Sequence, residues 1–283
     1  MFKRQYCYLV AGLADLIFDS GKVIPDLVEF REELKEALHP SDYYLVSILF
    51  LPYDHDNMIA FFEGKTDKWN IHGNFSPDEF EEEKKLLLTI GRRKDAMPSY
   101  MVEQMALRSG EEQSVDRVFT WQKLTEGYIN LVMRSGNRFL ERWISYDSDI
   151  RNIFALLNAR EMGLDAARYI VGGSNLAREL LTAFSSGKEL AIPLEPDYVP
   201  VIFRIATENE FLERERKIDL ERWAYIDSIT LFEYFTIDLI LGYLIKYMMV
   251  LRWKQLDPVT GESMLRKLID QMETRAMSAG IGD

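Results

Sequence analysis

The sequence predicts an all-α protein built from many helices, and three observations carry that expectation. Pro and Gly are sparse, at 9 and 16 of 283 residues, in a chain rich in helix-forming side chains. Apolar residues recur at helical spacing directly behind capping signals. Only residues 43–51 have the β-branched and aromatic content of a strand, and a single strand cannot make a sheet.

The elements follow in order. Ser76-Pro77-Asp78-Glu79 is a helix start: a capping hydroxyl, proline at the first helical position, and acids at the positive end of the dipole. That helix should run to about residue 90. Pro98 opens another, and the polar run 109–114 separates it from a long pattern over 115–133. Ser135-Gly136-Asn137 breaks that helix. Asp147-Ser148-Asp149 offers acids and a hydroxyl ahead of Ile150, Ile153, Phe154, Leu156 and Leu157, so a helix start is expected there. A short helix is expected over 175–184. Three prolines make 192–200 a loop, with Pro200 near the next helix start. Residues 208–222 are dense in both charges, with Glu210/Arg214 and Glu213/Lys217 at i,i+4 spacing, which predicts a largely exposed helix. Residues 229–255 are apolar nearly all round, as in a central helix packed on several sides, and Asp257-Pro258 should end it.

With 47% apolar and 28% charged residues the chain has a globular composition. Its formal charge of −12 opposes general affinity for nucleic acid or anionic lipid and favours protein partners with basic surfaces. One cysteine, Cys7, cannot form an internal bridge and fits a reducing compartment; between two tyrosines it is expected to be packed and inert. The N-terminus has two basic residues and a short apolar stretch, but Gly12 and Asp15 interrupt it, so it is expected to belong to the mature fold. Glu233, Asp238 and Lys246 likewise argue against a transmembrane segment over 229–251.

No motif singles out a catalytic residue, a cofactor or a metal. Gly64-Lys65-Thr66 ends like a phosphate-binding loop, but the residue five positions before Gly64 is Ile59, within an aromatic, helix-like stretch. Asp54-His55-Asp56 has the residue types of a metal site, yet His39 and His72 stand at no ligand spacing, so a solvated loop or helix cap is expected. Glu81-Glu82-Glu83-Lys84-Lys85 should be a solvated helix face. An enzyme with a carboxylate-lined cleft is disfavoured because no nucleophile, metal set or cofactor loop is present.

Three segments share the order aromatic, two residues, Asp, apolar helix: Tyr53 to Asp56, Tyr146 to Asp149 and Phe235 to Asp238. Their aromatics lie 93 and 89 residues apart, close to a third of the length. This predicts one body of three pseudo-repeats, approximately 1–97, 98–190 and 191–283, each Asp lying in the first turn of an equivalent helix and each aromatic anchoring its entry. Tyr53, Asp56, Tyr146, Asp149, Arg151, Phe235 and Asp238 are therefore the candidate structural or interface residues, and replacing Tyr146 or Phe235 by Ala is expected to cost roughly 3–5 kcal/mol if the ring is fully buried.

The run Tyr6-Cys7-Tyr8-Leu9-Val10-Ala11-Gly12-Leu13, the segments Tyr53-Asp54-x-Asp56-Asn57 and Ser145-Tyr146-Asp147-x-Asp149-Ile150-Arg151-Asn152, and the stretch from Phe235 to Arg252-Trp253 resemble a bacterial family of uncharacterised proteins. Its genes sit among those of a V-type ATPase, and the resemblance covers the whole chain. It implies a role similar to that of the central-stalk funnel component of these enzymes, an all-helical body of three similar units. Such a component is non-catalytic. It links the rotor shaft to the membrane proteolipid ring and couples ATP turnover to ion or proton transport. The expected partners are those shaft and ring subunits, with no nucleic acid, and the expected place is cytoplasmic, peripheral to the cytoplasmic membrane. The alternative is a general helical scaffold or regulatory binding module unconnected with the ATPase.

Overall fold

A computed structural model describes residues 4–18, 25–89, 97–108, 116–185 and 195–255. Every regular element in them is helical. The eleven α-helices among the described residues are α1 (Cys7–Gly12), α2 (Leu27–Ala37), α3 (Pro40–Phe62), α4 (Pro77–Thr89), α5 (Ser99–Arg108), α6 (Arg117–Met133), α7 (Arg138–Met162), α8 (Asn175–Ser185), α9 (Tyr198–Ala206), α10 (Phe211–Thr230) and α11 (Ile237–Gln255). Among the described residues no helix is long and apolar enough to cross a membrane. The polar run 109–114, part of the proline-rich loop and the Asp257-Pro258 stop lie outside the described residues.

The chain divides into two compact units. The larger spans Leu27–Glu233. In it α3 packs against α2, α4 and α6, α6 packs against α5 and α7, and α7 packs against α8, α9 and α10. The helix ends are set by local chemistry. His39 caps α3, with Pro40 at its first position, and Ser76 caps α4 through a reciprocal box in which Glu79 accepts from the Ser76 N–H (2.8 Å). Asp116 accepts from Phe119 N at the start of α6, and Asn137 from Leu140 N at the start of α7. Gly163, at φ 65°, closes α7 in the left-handed conformation that a Cβ disfavours. Residues 43–51 lie inside α3, where Val46, Ile48, Leu49, Phe50 and Leu51 are all buried. Their β-branched and aromatic content serves core packing, and that packing overrides strand propensity.

The smaller unit joins the two chain ends, Met1–Asp26 and Tyr234–Asp283. Its N-terminal segment runs beside α11. The Tyr6 N–H donates to the Phe235 carbonyl (2.7 Å), Phe18 meets Trp253 with ring centroids 5.7 Å apart, and the Tyr247 hydroxyl donates to the Pro25 carbonyl. Cys7 is exposed, contrary to expectation, because α1 buries none of its residues.

Two helix boundaries differ from the sequence pattern. Residues 147–149 do not start a helix: α7 begins nine residues earlier, at Arg138, behind the Asn137 cap, and their acids are held inside it. Conversely 229–255 is not one helix. α10 stops at Thr230, and Phe235 takes a left-handed φ of 57° before α11 begins at Ile237. A left-handed residue cannot continue a right-handed helix, and periodicity carries no mark of it.

Candidate functional site

The middle of α3 presents Tyr53 to Asn57, and the structure turns this segment inward. Asp54 and His55 are buried, so the segment is neither a solvated loop nor a cap. Asn57 grips a single residue of the following loop: its Oδ1 accepts from the Asn70 N–H (2.7 Å) and its Nδ2 donates to the Asn70 carbonyl (2.9 Å). One helical turn earlier Asp54 accepts from the N–H groups of Asn74 (2.7 Å) and Phe75 (3.1 Å) and from Asn74 Nδ2 (2.6 Å). Burial pushes the Asp54 carboxyl up to about 6, against the opposing pull of these donors and of Arg31. Gly73 passes so close that a Cβ there would sit 2.6 Å from both Asp54 Oδ1 and Asn57 Nδ2. Arg31 of α2 closes the loop from the other side. It donates to the carbonyls of His72 (3.0 Å) and Gly73 (3.2 Å) and to Asn74 Oδ1 (2.5 Å), and its guanidinium lies 4.3 Å from the Phe50 ring centroid.

The middle of α7 repeats the device. Asn152 accepts from the Val171 N–H and donates to the Val171 carbonyl, both at 2.9 Å. One turn earlier Asp149 accepts from Ser174 Oγ (3.0 Å) and from the Tyr198 hydroxyl (2.7 Å). Ser174 Oγ in turn accepts from the Ala177 N–H at the start of α8. In both halves an Asp-x-x-Asn pair on a long helix fastens the loop that leads into the next helix. Asp54 and Asp149 stand 95 positions apart, as do Asn57 and Asn152. The side chains thus pair Asp54, not Asp56, with Asp149. Asp56 is exposed.

The remaining candidates separate. Tyr146 is buried and stacks on Tyr225 (centroids 3.8 Å apart, planes 6° from parallel), with Tyr198 edge-on at 4.7 Å. Arg151 bonds Asp147 Oδ2 through Nε (2.7 Å), while Arg222 of α10 bonds Asp147 Oδ1 (2.7 and 2.9 Å) and Asp219 (3.1 Å). Burial raises the Asp147 carboxyl, but the two guanidinium charges outweigh it and hold it down at about 2. Tyr53 is half-buried and meets the His72 ring at 5.6 Å. Asp56 and Asp149 lie inside α3 and α7, so only Asp238 occupies a first helical turn as expected. Phe235 is 39% exposed, so it is not the buried anchor that Tyr146 is.

His55, next to these carboxylates, shares a 2.7 Å hydrogen bond with the Tyr100 hydroxyl and meets the Tyr100 and Tyr128 rings edge-on. Burial lowers it to about 3, so the imidazole is neutral at physiological pH. Among the described residues no group of three His, Cys, Asp or Glu is placed to hold a metal ion. Asp54, Asp147 and Asp149 are engaged by donors of the protein itself, which makes them fasteners of the frame. Aromatic spacing alone does not reveal Asp54, Asn57, Asn152 or Arg222. The Asp-x-x-Asn spacing shared by 54–57 and 149–152 is the signal for the first three.

Beside the first clasp, α2, α3, the loop 71–75 and residues 97–99 enclose an open groove of about 820 Å³.

A family model described as "Protein of unknown function (DUF2764)" matches residues 3–276 of the chain. No curated protein and no solved structure matches it.

Proposed function

The chain belongs to the family described as "Protein of unknown function (DUF2764)", and we propose that it is a non-catalytic central-stalk adaptor of a V-type ATPase. In this role it links rotor shaft to proteolipid ring at the cytoplasmic face of the membrane. The observation that carries the proposal is where the resemblance to the bacterial family encoded beside V-type ATPase genes falls. Two of its segments, 53–57 and 145–152, are the ones whose Asp and Asn side chains fasten helices to loops. In these two segments the likeness falls on side chains that tie a long helix to the loop after it, and a coupling element must transmit torque without yielding. The formal charge of −12 adds support, because an acidic adaptor docks by complementary charge against basic patches on its neighbours.

The test is affinity purification of the tagged chain from native membranes with identification of the bound proteins. Recovery of shaft and ring subunits is the expected result. Recovery of neither would overturn the adaptor role and leave the helical scaffold unconnected with the ATPase.

A further inference from the structure

The turn between α6 and α7 carries three arginines that the fold leaves unused. Arg134 caps the end of α6, Arg138 opens α7 and Arg142 follows one turn later, and all three are exposed. No described residue hydrogen-bonds or ion-pairs with their guanidinium groups. Other arginines are engaged: Arg31 holds loop carbonyls, Arg151 and Arg222 hold Asp147, and Arg168 pairs with Asp116. Glu141, the single acid in 134–142, is half-buried and pairs with none of the three. Nor does the charge of Arg138 serve α7, because a cation at the first helical position opposes the helix dipole.

The neighbours of these arginines complete a surface. Residues 138, 142 and 145 share one face of α7 at i, i+4, i+7 spacing. Exposed Ser145 holds its Oγ 4.0 Å from Sδ of Met133, itself 48% exposed, so this face adjoins the end of α6. From α10 the half-buried Tyr225 donates its hydroxyl to the Arg142 carbonyl (3.4 Å). Arg, Met and Tyr are the residue types enriched in protein–protein interfaces, where Lys and the acids are depleted.

We infer that this corner docks a short acidic segment of a partner protein. Guanidinium forks take carboxylates through paired hydrogen bonds, and the weak hydration of Arg eases their burial in a contact. Met133 and Tyr225 supply apolar surface beside the charges. The formal charge of −12 selects the occupant. A membrane or a nucleic acid carries its negative charge past the corner and is repelled by the rest of the body, whereas a short acidic segment meets the corner alone. The inference stands whether or not the chain belongs to a rotary ATPase.

The test uses the full chain and a fluorescein-labelled helical peptide of Glu and Leu, followed by fluorescence anisotropy. The peptide is expected to bind saturably and to be weakened by salt. The variant R134Q/R138Q/R142Q alters only exposed side chains and is expected to weaken binding by about tenfold or more. The variant K65Q/K68Q/K85Q removes the same charge elsewhere and should change binding by less than about twofold. Phosphatidylglycerol vesicles and duplex DNA are expected not to bind. Failure of the peptide to bind, undiminished binding to the Arg variant with an unchanged circular dichroism spectrum, or an equal loss in the Lys variant would overturn the inference. Binding of the vesicles or the DNA through the same arginines would overturn it too, by giving the corner a different occupant.

Discussion

Tyr146 of α7 lies flat on Tyr225 of α10, their ring centroids 3.8 Å apart and their planes 6° from parallel. On the same turn of α7, Asp147 receives Arg222 of α10. A stacked pair and a buried ion pair therefore join the same two helices.

Tyr146→Ala is expected to lower the unfolding free energy of the larger unit by about 3–5 kcal/mol, since it removes a buried ring and its three aromatic contacts, with Trp143, Tyr198 and Tyr225. Urea unfolding followed by circular dichroism measures this. A loss below about 1 kcal/mol would show that the stack carries little.

Phe235 should respond differently, because its φ of 57° penalises any residue with a Cβ. Phe235→Gly is expected to be more stable than Phe235→Ala by about 1 kcal/mol, reversing the usual order of these residues. The comparison is of two melting temperatures, and the order Ala above Gly would contradict a left-handed Phe235.

Asp147 sets a pH dependence. Its folded-state carboxyl, at about 2, is below the unfolded value, so its contribution is complete above about pH 4 and is lost as pH falls through 2. Asp147→Asn should flatten that limb of the stability profile by about 2 kcal/mol. Arg222→Met leaves Asp147 and Asp219 without their buried cation and should cost about 3–5 kcal/mol at pH 7. Asp54 has the opposite sign: raised to about 6 in the folded state, its contribution to stability grows as pH falls from above 6 toward 4. Carboxyl carbon NMR should place the two titrations on opposite sides of the unfolded value.

The twin clasps predict matched local effects. Asn57→Ala strips both bonds from the Asn70 peptide, and Asn152→Ala does the same to Val171, each at a cost of about 1–3 kcal/mol. Hydrogen exchange should rise first at residues 70–75 in one variant and at 171–174 in the other. Gly73→Ala should reproduce the first pattern, because its Cβ would press on Asp54 and Asn57.

Gly127 admits the Tyr100 ring, which a Cβ at 127 would approach to 2.4 Å. Gly127→Ala is expected to cost about 1–3 kcal/mol, and much less in a Tyr100→Ala background. Additive losses in the double variant would refute the contact.

The helical class and the starts of α4, α5, α6 and α8 were legible because they depend on local signals such as the Ser76 to Glu79 box and proline placement, as was the Ser135-Gly136-Asn137 break that ends α6. Interiors were harder to read. Asp147 and Asp149 have the chemistry of a cap, yet they sit inside α7 because Arg222, Tyr198 and Ser174 approach from 25 to 75 residues away. The break at 231–236 depends on one left-handed residue within an apolar run, and hydrophobic periodicity does not register backbone handedness. The three aromatics of the predicted repeat do not share an environment, since Tyr146 is buried and Phe235 is 39% exposed. The hydrogen-bonding Asp and Asn side chains, 95 positions apart in both cases, mark the two similar clasps in α3 and α7.

The proposed adaptor role is tested most directly by binding the purified chain to isolated shaft and proteolipid-ring subunits of a V-type ATPase in a titration calorimeter. Saturable binding to both, weakened by salt, is the predicted result. No heat from either titration, with the chain fully helical by circular dichroism, would contradict it.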